Sequence, residues 1–178
     1  MRAIRRFLAF IASRLFFVTL IVSLAILSFY TAMNVANIWI LTDEGLEARA
    51  RAVIQGTDMA SLTNYFTEEF ILQDPVLMVG TGASSPYRDY SVRGITHKTT
   101  MHTIWAWPWD NTATAEVTES IPSIDGTILA AQREAALAAG GEERLKPPAW
   151  ETNRYRVTLA RTGGRWKISA LQRMEIRN

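Results

Sequence analysis

Hydrophobic and polar positions divide the chain into a uniformly apolar stretch, an amphipathic stretch and a stretch of alternation. From Leu15 to Leu41 no position is charged, and "LFFVTLIVSLAILSFY" (Leu15 to Tyr30) is apolar on every face a helix would present. A helix over residues 15–41 runs roughly 40 Å, more than the roughly 30 Å of a bilayer's hydrocarbon core, so a transmembrane anchor is predicted. "TDEGLEARARAVI" follows, with Thr42 or Asp43 as cap and acids in its first turn; it predicts a stalk helix over 42–57 that continues the anchor. After Gly56, Asp58 is expected to cap a second helix, "DMASLTNYFTEEFILQ", with Leu62, Tyr65, Phe66, Phe70 and Leu72 on its apolar side. Asp74-Pro75 ends it.

Beyond this point the period becomes two. "VLMV" reads as a short strand and "YRDYSVRGITHKTTMHTIWAWP" as one long bent strand or two. "TATAEVTESI" follows, and "TNRYRVTLAR" and "RWKISALQRMEIR" are joined through "TGG", a hairpin signal. An alanine-rich helical insertion interrupts at about 126–149, stopped by Gly140-Gly141 and returned by Pro147-Pro148. Parity assigns Tyr155, Val157 and Leu159 to one face, with Trp166, Ile168, Ala170, Met174 and Ile176 alike. Arg154, Arg156, Lys167 and Arg173 take the other, and in the long strand Ile95, His97, Met101, Trp105 and Trp107 share a face. The predicted class is α+β: an N-terminal transmembrane helix, then helices packed on a curved, cone-like antiparallel sheet within residues 58–178.

The closing "YRVTLARTGGRWKISAL" resembles the last two strands of nuclear transport factor 2-like domains, the cone-shaped family that includes SnoaL-like cyclases. Anchored versions occur in inner-membrane scaffolds of type IV secretion and conjugation systems and in envelope transport accessory proteins, so the resemblance implies a scaffold outside a bacterial cytoplasmic membrane. In the family's enzymes a histidine and an acid inside the cone act as a general acid/base pair. That role would fall to His97, with Asp89 as the nearby acid and Asp110 placed in a turn. The insertion at 126–149 departs from the compact family pattern.

Charge sets the expected topology. Arg2, Arg5, Arg6 and Arg14 precede the span and Asp43, Glu44 and Glu47 follow it, which puts the N-terminus inside and the domain outside. A cleaved signal peptide competes, but no A-x-A-like site stands at the end of the apolar run. The net charge of +2 comes from the four leading arginines; outside, 15 basic residues face 17 acidic ones. No basic domain is left for a phosphate backbone, so nucleic acid is excluded as a partner. With no cysteine, disulfides, thiolate metal sites and cysteine nucleophiles are excluded. The two histidines, His97 and His102, are five apart and face opposite sides of a regular strand, so neither a metal site nor a cofactor is expected.

Three further features carry candidate functions. Ser28, Ala32 and Ala36 recur every four residues, near Asn34 and Asn37, and would let the anchor pack on a second copy or another membrane protein. The row Arg154, Arg156, Lys167, Arg173 is either a solvated sheet face or a docking strip for an acidic partner or an anionic wall polymer. "WAWPWD" holds three of the six tryptophans. Met101, Trp105 and Trp107 are core, the wall of a pocket for an apolar ligand, or part of a membrane-interface belt, for which Trp39 is better placed. The expected function is a single-pass, membrane-anchored binding or scaffold protein of an envelope complex. The alternative is a small-ligand-binding protein or cavity enzyme using His97.

Overall fold

The computed structural model describes residues 2–57 and 59–175, with side chains from residue 10 onward. The expected cap Asp58 and the expected face residue Ile176 therefore lie outside the described residues. Helix α1 (Arg2–Gln55) is unbroken. No proline interrupts it, and its single glycine before the end, Gly45, lies where α1 passes close to the sheet: a Cβ there would stand 3.0 Å from Ile168 Cδ1 and 3.2 Å from Tyr65 Cβ. Phe10 to Tyr30 are exposed on all sides, and α1 is long and apolar enough to cross a membrane.

From Asn34 onward the same helix packs into the domain. Ile38, Leu46, Ala50 and Val53 are buried, so residues 42–55 are not a spacer but the helix around which the domain is built. The reason is visible in the spacing: Leu46, Ala50 and Val53 fall on one face at intervals of four and three. The freely exposed apolar segment is accordingly residues 10–33, about 36 Å of helix, and the C-terminal end of the span expected at 15–41 belongs to the domain.

The single helix expected over 58–73 is broken. A 3₁₀ turn (Met59–Asn64) closes at Tyr65 and is followed by a bridge residue, Phe66, and extended Thr67 before helix α2 (Glu68–Gln73). The break has a partner: Thr67 N–H donates to Ile168 O at 2.9 Å and Ile168 N–H to Tyr65 O at 2.8 Å, a short parallel bridge. Thr67 then caps α2 by accepting from the Phe70 N–H. "VLMV" is helix α3 (Pro75–Gly80) rather than a strand, since Pro75 occupies its first turn and Asp74 accepts the Val76 N–H. Gly80 lets α3 lie directly on α1, because a Cβ there would collide with the Val53 side chain.

Strands β1 (Tyr90–Trp105), β2 (Thr112–Ile128), β3 (Asn153–Thr162) and β4 (Arg165–Met174) form an antiparallel meander in that order. With the helices on one face this is the expected α+β class. β2 continues past the expected end at Ile121, and Pro122 sits where the β1 pairing shifts between Thr96 and Lys98. Gly163 and Gly164, with φ of 59° and 79°, make the two-residue β3–β4 turn. Between β2 and β3 run two 3₁₀ turns and helix α4 (Arg133–Gly140), which buries no residue. The Tyr90 hydroxyl holds this insertion by donating to Arg144 O at 3.0 Å.

Two of the register slips turn residues away from the faces that parity assigned them. The β1 register slips between Met101 and Thr103, and the β3–β4 register slips at Thr158/Leu159. After the first slip Ile104 and Ala106 pack against the core while Trp105 and Trp107 turn outward. After the second, Leu171 and Arg173 pair with the inward residues Val157 and Tyr155, and Ala170 is exposed. A bulge adds one residue to one strand and so reverses the alternation beyond it.

Candidate functional site

The inner face of the sheet carries a polar row among apolar neighbours. Thr99, Glu119 and Asn153 pair across β1, β2 and β3. The Glu119 side chain is fully buried, between His97 Nε2 at 3.2 Å from Oε1 and the Trp150 Nε1–H, which donates to Oε2 at 3.3 Å. His97 is a diagonal cross-strand neighbour of Glu119, close enough for their side chains to meet. Thr99 Oγ1 and Asn153 Oδ1 are buried without a protein partner among the described residues.

α1 brings a second charged pair to this face. Arg49 donates from Nε to Asp74 Oδ2 at 2.6 Å and from Nη2 to Oδ1 at 3.1 Å, both side chains being almost fully buried. Burial by itself would pull the Arg49 pKa down. The hydrogen bond and charge of Asp74, with a smaller contribution from Glu119, outweigh it and leave the guanidinium above its ordinary value. Burial raises the Tyr155 phenol as well, Arg49 opposing and Glu119 adding to that shift. The Arg49 guanidinium carbon lies 6.0 Å from the centre of the Tyr155 ring.

Beside this network opens a cleft of about 540 Å³, lined by Arg49, Asp74, Tyr87, Trp150, Asn153 and Tyr155 with apolar side chains from α3. His97 and Glu119 are not in its lining. The acid/base pair expected at His97 and Asp89 is therefore rearranged. Asp89 is exposed in the turn before β1, Glu119 is the carboxylate that meets His97, and that pair is sealed from the cleft. Met101 is half-buried against the core, and neither it nor Trp105 nor Trp107 lines this cleft. His102 does face away from His97, bonding Thr118 Oγ1 at 2.8 Å on the outer face. Among the described residues no three His, Asp or Glu side chains stand together as a metal site.

The basic row is dispersed by the β4 bulge. Arg154 and Arg156 both pair with Glu116, at 3.1 and 3.2 Å, on the outer face. Arg173 lies on the inner face at the rim of the cleft, paired with Glu151 at 3.0 Å, and Lys167 is half-buried opposite Ala160. Hydrogen bonds from Arg156 and Arg154 hold the Glu116 carboxyl below its ordinary pKa of 4.5. A depressed carboxylate stabilises the fold above its unfolded-state pKa, and that contribution is lost as pH falls through the folded value. Wild type is thus expected to lose more unfolding temperature than Glu116→Gln on acidification below about pH 4.5; parallel curves would mean that the two arginines do not act on Glu116 in solution. Ser28, Ala32 and Ala36 are all exposed on α1.

Reasoning from sequence missed Arg49 and Glu119, though each had a signal. Glu119 shares the parity of Ala113, Ala115, Val117 and Ile121, and Arg49 lies three residues from Leu46 and four from Val53. A charge on an apolar stripe marks a buried polar group that needs a partner. Comparison with known proteins gave no match to a family model, a curated protein or a solved structure.

Proposed function

We propose that the chain is a single-pass membrane protein with its N-terminus in the cytoplasm, displaying a binding or scaffolding domain outside the cytoplasmic membrane as part of an envelope complex. The observation that carries this reading is the continuity of α1: the apolar segment, exposed at every residue from Phe10 to Tyr30, runs without a joint into the helix that packs on the sheet. An all-round apolar helix has no stable place in water and a favourable one in lipid. The arginines before it and the acids after it support the orientation. The likeness of the closing hairpin to nuclear transport factor 2-like scaffolds supports the same role. The exposed stripe Ser28, Ala32, Ala36 supports pairing with a second membrane helix.

The test is crosslinking in intact cells, alkaline extraction of the membranes, and mass spectrometry of what stays attached, for wild type and for Ala32→Leu/Ala36→Leu. Retention in the membrane with a defined membrane or wall-assembly partner, lost in the double variant, is the expected result. A chain released by alkali, or one retained without any crosslinked protein, would remove the scaffold role.

The cleft favours a small-ligand carrier as the second reading, with Arg49, Tyr87 and Tyr155 as polar contacts in an otherwise apolar lining. Its use of His97 as a base has no support in a histidine sealed against Glu119.

A further inference from the structure

Trp105 and Trp107, which parity placed inside, form with Trp109 of the following turn the most exposed aromatic group among the described residues of the domain. Trp105, Trp107 and Trp109 are 66%, 43% and 64% exposed. They contact one another, Trp105 edge-on to Trp107 at 5.8 Å and Trp107 stacked on Trp109 at 5.3 Å. An indole cluster of this kind on a water-facing surface loses apolar burial for nothing unless something covers it.

Its position in the fold says what does. The β1–β2 connection is tied to the end of β3, where Arg161 N–H donates to Asn111 O at 2.9 Å. The same end of the sheet is tied to α1: Arg161 Nη2 and Trp166 Nε1 both donate to Asn34 Oδ1, at 3.0 and 3.3 Å. Asn34 marks the level at which α1 leaves the domain, since Phe10 to Tyr30 are exposed throughout. The tryptophan cluster therefore stands at the end of the sheet from which the apolar segment emerges, opposite the end that carries the 129–152 connection. Exposed Tyr30 and Trp39 flank Asn34 on α1 itself, each within about 8 Å along the axis.

We propose that Trp105, Trp107 and Trp109 insert into the headgroup region of the bilayer that holds α1, and so seat the domain on the lipid surface. Indoles suit that boundary because an apolar ring lies in the acyl region while the N–H reaches water or headgroup oxygens. The exposed Arg165 at the adjacent hairpin offers a cation to phosphates, while Asp110 in the connection and Glu44 on α1 keep the surface from being strongly basic. The seat is thus aromatic more than electrostatic. Lipid is the occupant because the cluster shares its level with the exit of α1, whereas a second copy would meet it equally well at any height.

The inference rests on the anchor reading, and one experiment separates the two. The full chain is reconstituted into phosphatidylcholine–phosphatidylglycerol vesicles whose acyl chains carry bromine near the headgroup or near the methyl end. Wild type is compared with Trp105→Phe/Trp107→Phe/Trp109→Phe, whose folding is checked by circular dichroism; the replaced rings are exposed and leave the core intact. The expected result is stronger quenching of wild-type tryptophan emission by shallow than by deep bromine, with loss of the shallow component in the variant. Equal fractional quenching of the two proteins would overturn the seat and leave the anchor standing. Rings shielded from aqueous iodide yet untouched by bromine would overturn it in favour of a protein partner. Release of the chain from the vesicles by alkaline carbonate would overturn the anchor and the seat together.

Discussion

Replacing Asp74 with alanine is expected to cost about 3–5 kcal/mol of folding stability, because it leaves the Arg49 guanidinium charged and buried without its counter-ion. Asp74 has two separable duties. Its carboxylate holds Arg49 through two hydrogen bonds, and its Oδ1 also caps α3 by accepting the Val76 N–H at 3.1 Å. Asparagine keeps the cap and removes the charge. Asp74→Asn is therefore expected to fall short of the alanine variant by the value of a cap, about 1 kcal/mol. Removing the stranded charge as well, in Arg49→Met/Asp74→Asn, should return more than half of the loss, since no buried charge is then left without its counter-ion. Urea unfolding of the full chain in detergent reads all three. A cost under about 1 kcal/mol for Asp74→Asn would mean the pair behaves as an exposed one, with water reaching it through the cleft.

Phe66→Ala is the second large effect, expected at about 3–5 kcal/mol for a fully buried aromatic side chain. Phe66 stacks on Phe70 with ring centroids 4.8 Å apart, and its ring lies beside Gly45 of α1. Its backbone forms the bridge that covers the outer edge of β4 at Ile168. Loss of the ring thus loosens three layers together: α1, the 65–67 segment and the sheet. Leu72→Ala is the control, since Leu72 sits on the same expected apolar side but is 76% exposed. It should change stability by no more than about 0.5 kcal/mol. Near-equal effects in thermal unfolding would contradict the packing at Phe66.

Contrasts of this kind set the limit of what the residues disclosed on their own. The long apolar helix, the α+β class and the glycine hairpin were legible, because each rests on a pattern sustained over many positions or on a backbone demand that glycine alone meets. Parity in the long strand was legible only as far as the slip after Met101. Nothing in "MHTIW" marks an extra residue, yet that slip moved Trp105 and Trp107 from the inside of the sheet to its surface, and the slip in β4 did the same in reverse for Arg173. The break at Tyr65–Thr67 was equally hidden, since its cause is a strand about 100 residues away in sequence, at Ile168. His97 was found, but its acid was sought in the neighbouring loop rather than across the sheet, where Glu119 lay on the apolar parity.

The unbroken α1 also fixes a rotational phase. A loop between two bodies lets each turn freely, but a continuous helix makes every residue between them count as both a step and a twist. Inserting one alanine between Asn37 and Met33 would lengthen the shaft by about 1.5 Å and swing the apolar segment by about 100° relative to the sheet. Four inserted residues would nearly restore the angle while lengthening the shaft by about 6 Å. Azimuth and height are thus separately adjustable in this molecule, and function that depends on which way the sheet faces should return with the helical period.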